Sequence, residues 1–271
     1  MFRGRPVRQR STRKSVSAST DVPALRLNGL VKRFGHGLAV DHVDLEVPGG
    51  SFFGLVGPNG AGKTTTLSMA VGLLRPDAGR AEIFGQDVWA APERAKATVG
   101  VLPDGLAMPE RLTGREVLTY LGLLRGLAED VVARRAEELL AVLELDGADR
   151  TLVIEYSTGM RKKIGLAIAL LHAPRLLVLD EPFEAVDPVS AAAIKKILRG
   201  FVAGGGSIVL SSHVMALVEQ LCDRVAVMAK GRVAAVGTVD EVRGERSLED
   251  AFVGLVGDQD DDVRELSWLS R

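Results

Sequence analysis

The residues Gly57-Pro58-Asn59-Gly60-Ala61-Gly62-Lys63-Thr64 match the phosphate-loop pattern G-x-x-x-x-G-K-[ST] without a gap. Each residue type in the pattern answers a need of phosphate chemistry. Glycines let the backbone curl so that successive N–H groups point at phosphate oxygens, where a Cβ would obstruct. Lys63 brings a positive charge to the β- and γ-phosphates, and the Thr64 hydroxyl can ligate an accompanying Mg²⁺. Thr65 follows in the same turn and joins the phosphate-binding candidates. A second constellation lies far downstream, where Leu176-Leu177-Val178-Leu179 runs into Asp180-Glu181. Two carboxylates at the C-terminal end of a buried strand stand where open α/β sheets place their ligands. Asp180 is suited to hold Mg²⁺ directly or through water, and Glu181 to polarise the water that attacks a γ-phosphate.

These groups need elements that position them. Ser51 to Val56 reads as a strand leading into the loop, and Leu67, Ala70, Val71 and Leu74 recur at i, i+3, i+4 and i+7, which predicts a helix with one buried face. The N-terminus of that helix adds its dipole to the anion site. Upstream, Leu25 to Val31 and Val43 to Val47 alternate apolar with polar residues and predict half-buried antiparallel strands. A short strand is expected through Ile83 and Phe84, and another at Val99-Gly100-Val101-Leu102. Thr113-Gly114-Arg115-Glu116 is a capping box opening a helix with Val117, Leu118, Leu121 and Leu124. A second helix carries Val132, Ala136, Leu139, Leu140 and Leu143 on one face, and a third runs from near Ser157 to about His172. Residues of about 104–172 therefore read as a helical insert between strands. The runs Leu176–Leu179 and Ser207–Leu210 are nearly unbroken and apolar, as in a parallel sheet covered on both faces. Asp187-Pro188 supplies an N-cap and an N1 proline for the helix bearing Ile194, Ile197, Leu198 and Phe201, which Gly204-Gly205-Gly206 closes.

The bulk numbers narrow the classes. The chain has 271 residues, 46% apolar and 25% charged, an ordinary globular composition with ample core. A net charge of −1 provides no global attraction to nucleic acid or anionic membrane. The single cysteine, Cys222, precludes an internal disulfide and sits in an apolar stretch that points to packing and a reducing compartment. No apolar run reaches the roughly 18–20 residues that cross a bilayer, nor does the N-terminus carry the apolar core of a secretory signal. Residues 1–23 form a basic tail with Arg3, Arg5, Arg8, Arg10, Arg13 and Lys14. A transit peptide, an anionic-lipid contact and a nucleic-acid arm remain open beside the simpler reading of a solvated, disordered segment. Asp258, Asp260, Asp261 and Asp262 make 256–271 an acidic C-terminal segment. No internal repeat is present, so one nucleotide-binding domain is expected over about 24–255.

With Tyr156-Ser157-Thr158-Gly159-Met160 between the phosphate loop and the Asp180-Glu181 strand, the chain resembles the ATP-binding subunit of an ABC transporter over about residues 24–255. In that family this place holds a signature usually written LSGGQ, where a serine hydroxyl and glycine backbone at a helix N-terminus offer an anion site. Ser157 and Gly159 match, while Tyr156, Thr158 and Met160 depart and resemble the YSxGM form of ABC-2-type drug and antibiotic exporters. The resemblance implies an α/β P-loop fold with a mainly parallel core sheet, an antiparallel β region and a helical subdomain. It implies ATP and Mg²⁺ as cofactors, and a dimer, most simply a homodimer, that sandwiches two ATP molecules. It also implies a polytopic membrane permease as partner, no specific nucleic acid, and a cytoplasmic location at the inner face of the cell membrane through that permease. By the same resemblance Phe34 stacks on adenine, Asp187 belongs to the loop that links the two composite sites, and His213 contacts the γ-phosphate. Asp104 stands where the family usually has a glutamine that touches Mg²⁺ and the attacking water. It is one methylene shorter and charged, and the expectation is that it still positions metal or water. Export is the implied direction. An importer, and a soluble ATPase acting on ribosomes or nucleic acid, are the alternatives, although the paired nucleotide domains or long coiled coils of the latter group are absent.

Overall fold

In the computed structural model, residues 22–148 and 150–257 are described. Residues 1–21 of the basic tail, with all its cations, and the acidic C-terminal aspartates lie outside that range, as do the expectations attached to them. Strands β1 (Leu25–Phe34), β2 (Gly37–Val47), β4 (Ala78–Ile83) and β5 (Gln86–Asp87) form an antiparallel sheet in the order β2-β1-β4-β5. The six-stranded sheet uses β3 (Phe52–Val56), β6 (Val99–Leu102), β7 (Leu176–Asp180), β8 (Ser207–Ser212), β9 (Arg224–Ala229) and β10 (Arg232–Thr238), in the order β10-β9-β3-β8-β7-β6. All its neighbours pair in parallel except β9 with β10.

The helices are α1 (Lys63–Ala70), α2 (Pro92–Thr98), α3 (Gly114–Leu124), α4 (Glu129–Val142), α5 (Thr158–Leu170), α6 (Pro188–Ala203), α7 (Met215–Leu221), α8 (Val239–Arg243) and α9 (Leu248–Val256). Helices α3, α4 and α5 are the insert expected between β6 and β7. The capping box forms as read: Glu116 N–H donates to Thr113 Oγ1 at 3.3 Å, and Thr113 N–H to Glu116 Oε2 at 2.8 Å.

The apolar strands serve two cores, one on each face, because alternate side chains of a strand point in opposite directions. Phe52, Val56, Leu177, Leu179, Ile208 and Leu210 pack with helices α3 to α7. Phe53, Leu55, Leu176, Val178 and Val209 pack with α1 and the antiparallel sheet. At the edge, α5 lies so close to β6 that a Cβ on Gly100 would fall 2.1 Å from the Ala169 carbonyl oxygen.

Several details differ from expectation: β1 runs on to Phe34 and β2 begins already at Gly37, so both strands are longer than the alternation indicated. Helix α1 stops at Ala70 instead of carrying to Leu74, because Gly72 takes φ +75° and turns the chain out. Strand β4 ends at Ile83, and Phe84, at φ +46°, lies in the turn after it. Leu124 closes α3 but faces outward, exposed, so the buried stripe there is Val117, Leu118 and, partly, Leu121. Cys222 is buried, and desolvation pushes its thiol pKa far up, in keeping with a packing role. Among the described residues no helix is long and apolar enough to cross a membrane.

Candidate functional site

The C-terminal ends of β3, β7 and β8 converge on one cleft of about 430 Å³. Its lining comes from separate parts of the chain: Phe34, Ala39, Asn59 to Thr65, Asp104, Glu181, Glu184 and His213. Gly57 and Pro58 shape the loop without lining the cleft. A Cβ on Gly57 would sit 2.5 Å from the Met228 carbonyl oxygen, and one on Gly62, at φ +100°, 2.4 Å from that of Ala39. These glycines are thus required by the loop's own packing against β9 and β2, before any phosphate arrives. Helix α1 begins with neither a capping side chain nor an acidic residue in its first turn. Its first N–H groups have no partner within the helix and open onto the cleft, which makes it an anion site by construction.

Lys63 is buried, and its Nζ donates to the Gly57 carbonyl at 2.7 Å and the Pro58 carbonyl at 3.2 Å. Glu181 Oε1 is 4.0 Å away. Burial pushes the lysine pKa down, and the charges of Glu181 and Asp180 act against that. Phe34 holds its ring half-exposed at the rim, with Lys32 Nζ 5.7 Å from the ring centroid.

Asp180 and Glu181 play different structural parts. Asp180 is only 3% exposed, and Ser211 Oγ donates to its Oδ1 at 2.5 Å. The same Ser211 Oγ accepts from the Glu181 N–H at 2.9 Å. Glu181 itself takes φ +45°, a left-handed conformation that costs a non-glycine residue about 1–2 kcal/mol. Its Oε2 lies 3.1 Å from His213 Nδ1, which the turn after β8 presents. Asp104, after β6, is half-exposed, and Lys162 Nζ is 3.5 Å from its Oδ1. The extra charge at this position therefore has a cation beside it without help from a metal.

Asp180 lies behind this cleft and is not part of its lining, and the remaining predicted residues, Ser157, Gly159 and Asp187, are absent from it as well. Ser157 caps α5, its Oγ accepting from Met160 N–H at 3.2 Å, and no acid occupies that helix's first turn. Asp187 caps α6, accepting from the N–H groups of Val189 and Ser190 at 3.0 Å each. The Ser190 hydroxyl, then these backbone donors, hold its carboxyl below the usual range. Gly159 and Asp187 are neighbours, since a Cβ on Gly159 would come 4.0 Å from Asp187 Oδ2. Tyr156 is core, its ring against Gly114, which accounts for a large apolar residue before Ser157.

Sequence reading missed Ala39, Glu184, Ser211 and Lys162. Ser211 lies in an apolar strand where a hydroxyl passes as filler; the polar pair Ser211-Ser212 directly before His213 was the available signal. Lys162 sits in a run of three cations, Arg161-Lys162-Lys163, whose directions only the helix phase separates.

A phosphate loop between a parallel strand and a helix, with Asp-Glu at the end of a neighbouring parallel strand, defines a P-loop nucleoside triphosphatase. Residues 40–184 match the protein family described as ABC transporter. The daunorubicin resistance ATP-binding protein DrrA3 of Streptomyces coeruleorubidus is 40% identical over 82% of this chain and 70% of its own length. The linearmycin resistance ATP-binding protein LnrL of Bacillus subtilis (strain 168) is 34% identical over 79% of this chain and 69% of its own length. A solved structure described as the ATP binding subunit of an ABC transporter superposes with a TM-score of 0.80 at 31% identity, covering 86% of this chain and 99% of that one. The chain belongs to the ABC transporter family, as an ATP-binding, ATP-hydrolysing subunit.

Proposed function

We propose that this chain is the motor of an exporter: two copies close on ATP, hydrolysis lets them part, and a separate membrane-spanning permease turns the motion into transport. The observation that carries this reading is the division of the phosphate-binding groups. Each copy holds a complete phosphate loop in one cleft and a second anion-seeking helix end, at Ser157 and Gly159, outside it. A second copy would bring its Ser157 and Gly159 to the γ-phosphate, with Asp187 at the contact between the two sites. The names of the relatives, resistance proteins for daunorubicin and linearmycin, support export of an antibiotic-like small molecule. On this reading the permease holds the chain at the cytoplasmic face of the membrane; among the described residues no helix is long and apolar enough to cross it.

Thr64, Asp180 and, through water, Asp104 would supply oxygen donors, the kind Mg²⁺ prefers. Among the described residues no three His, Cys, Asp or Glu side chains are grouped to hold a metal alone, and an ion that takes other ligands from phosphates and water does not need them. When bound, Mg²⁺ supplies charge neutralisation at the β- and γ-phosphates. Within the cleft Phe34 stacks on the adenine, and the α1 N-terminus with Lys63 receives the phosphates. Lys63 exchanges the Gly57 and Pro58 carbonyls for phosphate oxygens. Glu181 orients the attacking water and accepts its proton, and His213 holds the Glu181 carboxylate while reaching the γ-phosphate.

The test is isolation of the full chain from its native membranes, with identification of the polytopic protein that accompanies it and assay of ATP-driven transport in vesicles. Uptake into inside-out vesicles supports export. Substrate movement only in the opposite sense, or a ribosomal partner in place of a membrane protein, would refute it.

A further inference from the structure

The backbone of Glu181 is strained, and a non-glycine residue at positive φ persists only where its surroundings over-determine it. Besides the Glu184 N–H of its own turn, which donates to the Glu181 carbonyl at 3.2 Å, two other elements grip its peptide groups. From β8, Ser211 Oγ accepts the Glu181 N–H at 2.9 Å. From α5, Lys162 Nζ donates to the Glu181 carbonyl at 3.0 Å. Lys162 is largely shielded, with its side chain 12% exposed. Its flanking cations aim elsewhere: Arg161 donates to the Ile154 carbonyl at 3.0 Å and Lys163 pairs with Glu144 at 3.5 Å. The consecutive helix phase of about 100° separates the three, so Lys162 alone points at the strand end. A donor carrying full charge makes the stronger class of hydrogen bond, and here it reaches a carbonyl in a shielded position.

Building on the reading of Glu181 as the water-polarising group, we propose that Lys162 is a positioning residue for hydrolysis, a strut from the first turns of α5 to the Glu181 peptide. The Glu181 carboxylate must meet both His213 and the attacking water, and its direction follows from the backbone that carries it. With the Lys162 bond removed, the Glu181 carbonyl keeps only the longer bond from the Glu184 N–H of its own turn, at 3.2 Å, and the strained residue can relax. An error of about 1 Å in a catalytic group costs on the order of a hundredfold in rate, so partial relaxation predicts a loss of about tenfold. Nucleotide affinity is set elsewhere, by the loop, Lys63 and Phe34, and stays. Asp104, 3.5 Å from the same Nζ, keeps the ammonium in place from the solvent side. Because Ser157 opens the helix that carries Lys162, displacement of that helix pulls directly on the Glu181 peptide. The helical insert thereby acts on the chemistry through one side chain.

The experiment compares the full-length parent with Lys162→Met, Lys162→Arg and Glu181→Gln, measuring kcat and KM for ATP by phosphate release together with thermal melting. Lys162→Met keeps the aliphatic stem and should lower kcat about tenfold with KM within twofold, and Lys162→Arg should regain more than half of the loss. A Lys162→Met kcat within twofold of the parent overturns the proposal. So does a fall in kcat matched by an equal rise in KM, which marks a binding role. Should Lys162→Met fail to fold, Lys162→Gln takes its place, and loss of nucleotide binding in both overturns the proposal in favour of a purely structural residue. Glu181→Gln separates the two layers. If it retains turnover, the reading of Glu181 itself fails; if it abolishes turnover while Lys162→Met does not slow, only the strut fails.

Discussion

Glu181→Gln changes one carboxylate oxygen to an amide and leaves shape and volume in place, so its effect reports the charge and proton affinity of that group. The side chain stands 4.0 Å from Lys63 Nζ and 3.1 Å from His213 Nδ1. At 4.0 Å and an effective dielectric of about 20, removing the charge forfeits roughly 4 kcal/mol of attraction to Lys63. Lys63 still has the Gly57 and Pro58 carbonyls, and with ATP present it has phosphate oxygens, while one negative charge near those phosphates disappears. Affinity for ATP should therefore hold or tighten. The chemical step loses its proton acceptor, a contribution of about 10²–10⁴ in rate, or roughly 3–5 kcal/mol of barrier. Phosphate release at saturating Mg-ATP and a fluorescent-nucleotide titration measure the two quantities separately. Glu181→Asp, which withdraws the carboxylate by about one C–C bond length of 1.5 Å, should fall between parent and amide. Retention of more than a tenth of parental turnover by Glu181→Gln, or loss of ATP binding, would refute the assignment.

Gly100→Ala drives a methyl into the Ala169 carbonyl oxygen at 2.1 Å and Leu177 Cδ2 at 2.8 Å, so β6 and α5 must part. The expected cost is about 2 kcal/mol, seen as a melting temperature lowered by about 4–8 °C; an unchanged melt would refute the contact. His172 is held neutral: desolvation, then the charge of Arg125, lower its pKa from 6.5 to about 4, although its Nε2 bonds the Val99 carbonyl at 3.0 Å. The unfolded chain takes up the proton first, so this stability is complete above pH 6.5 and is lost as pH falls from 6.5 towards 4. The loss is about 2 kcal/mol once solvent screening is allowed for, and denaturant titrations should show it disappear in His172→Gln. Phe34→Ala should raise KM for ATP about three- to tenfold at constant kcat, as loss of a ring stacked on a base requires, with Phe34→Tyr near the parent. A kcat defect without a change in KM would place Phe34 in another role.

Much of the cleft was legible because its pieces are local. A Gly-rich loop followed by Lys-Thr, an apolar strand ending in Asp-Glu and a His after a second such strand each carry their meaning within a few residues. Where reading failed, the cause was long range. The periodicity through Leu74 ran past Gly72, since apolar spacing does not report a left-handed turn. Leu124 fitted its helix stripe, yet α4 covers the last turn of α3 only at Leu121 and Gly122 and leaves Leu124 outside. Asp104 was read against metal and water alone, and only the fold brings Lys162 beside it from 58 positions along the chain.

The amino-acid order alone determined that this chain binds a nucleoside triphosphate, and it pointed to ATP and to the transporter family, because short-range patterns of glycine, lysine, hydroxyl and carboxylate express the chemistry directly. Tertiary structure decided which of those residues share one cleft. It set Ser157, Gly159 and Asp187 apart from the phosphate loop, and it bent Glu181 into a strained turn between Ser211 and Lys162. Contacts between distant segments depend on sheet order and helix phase, and no local run of side chains encodes either.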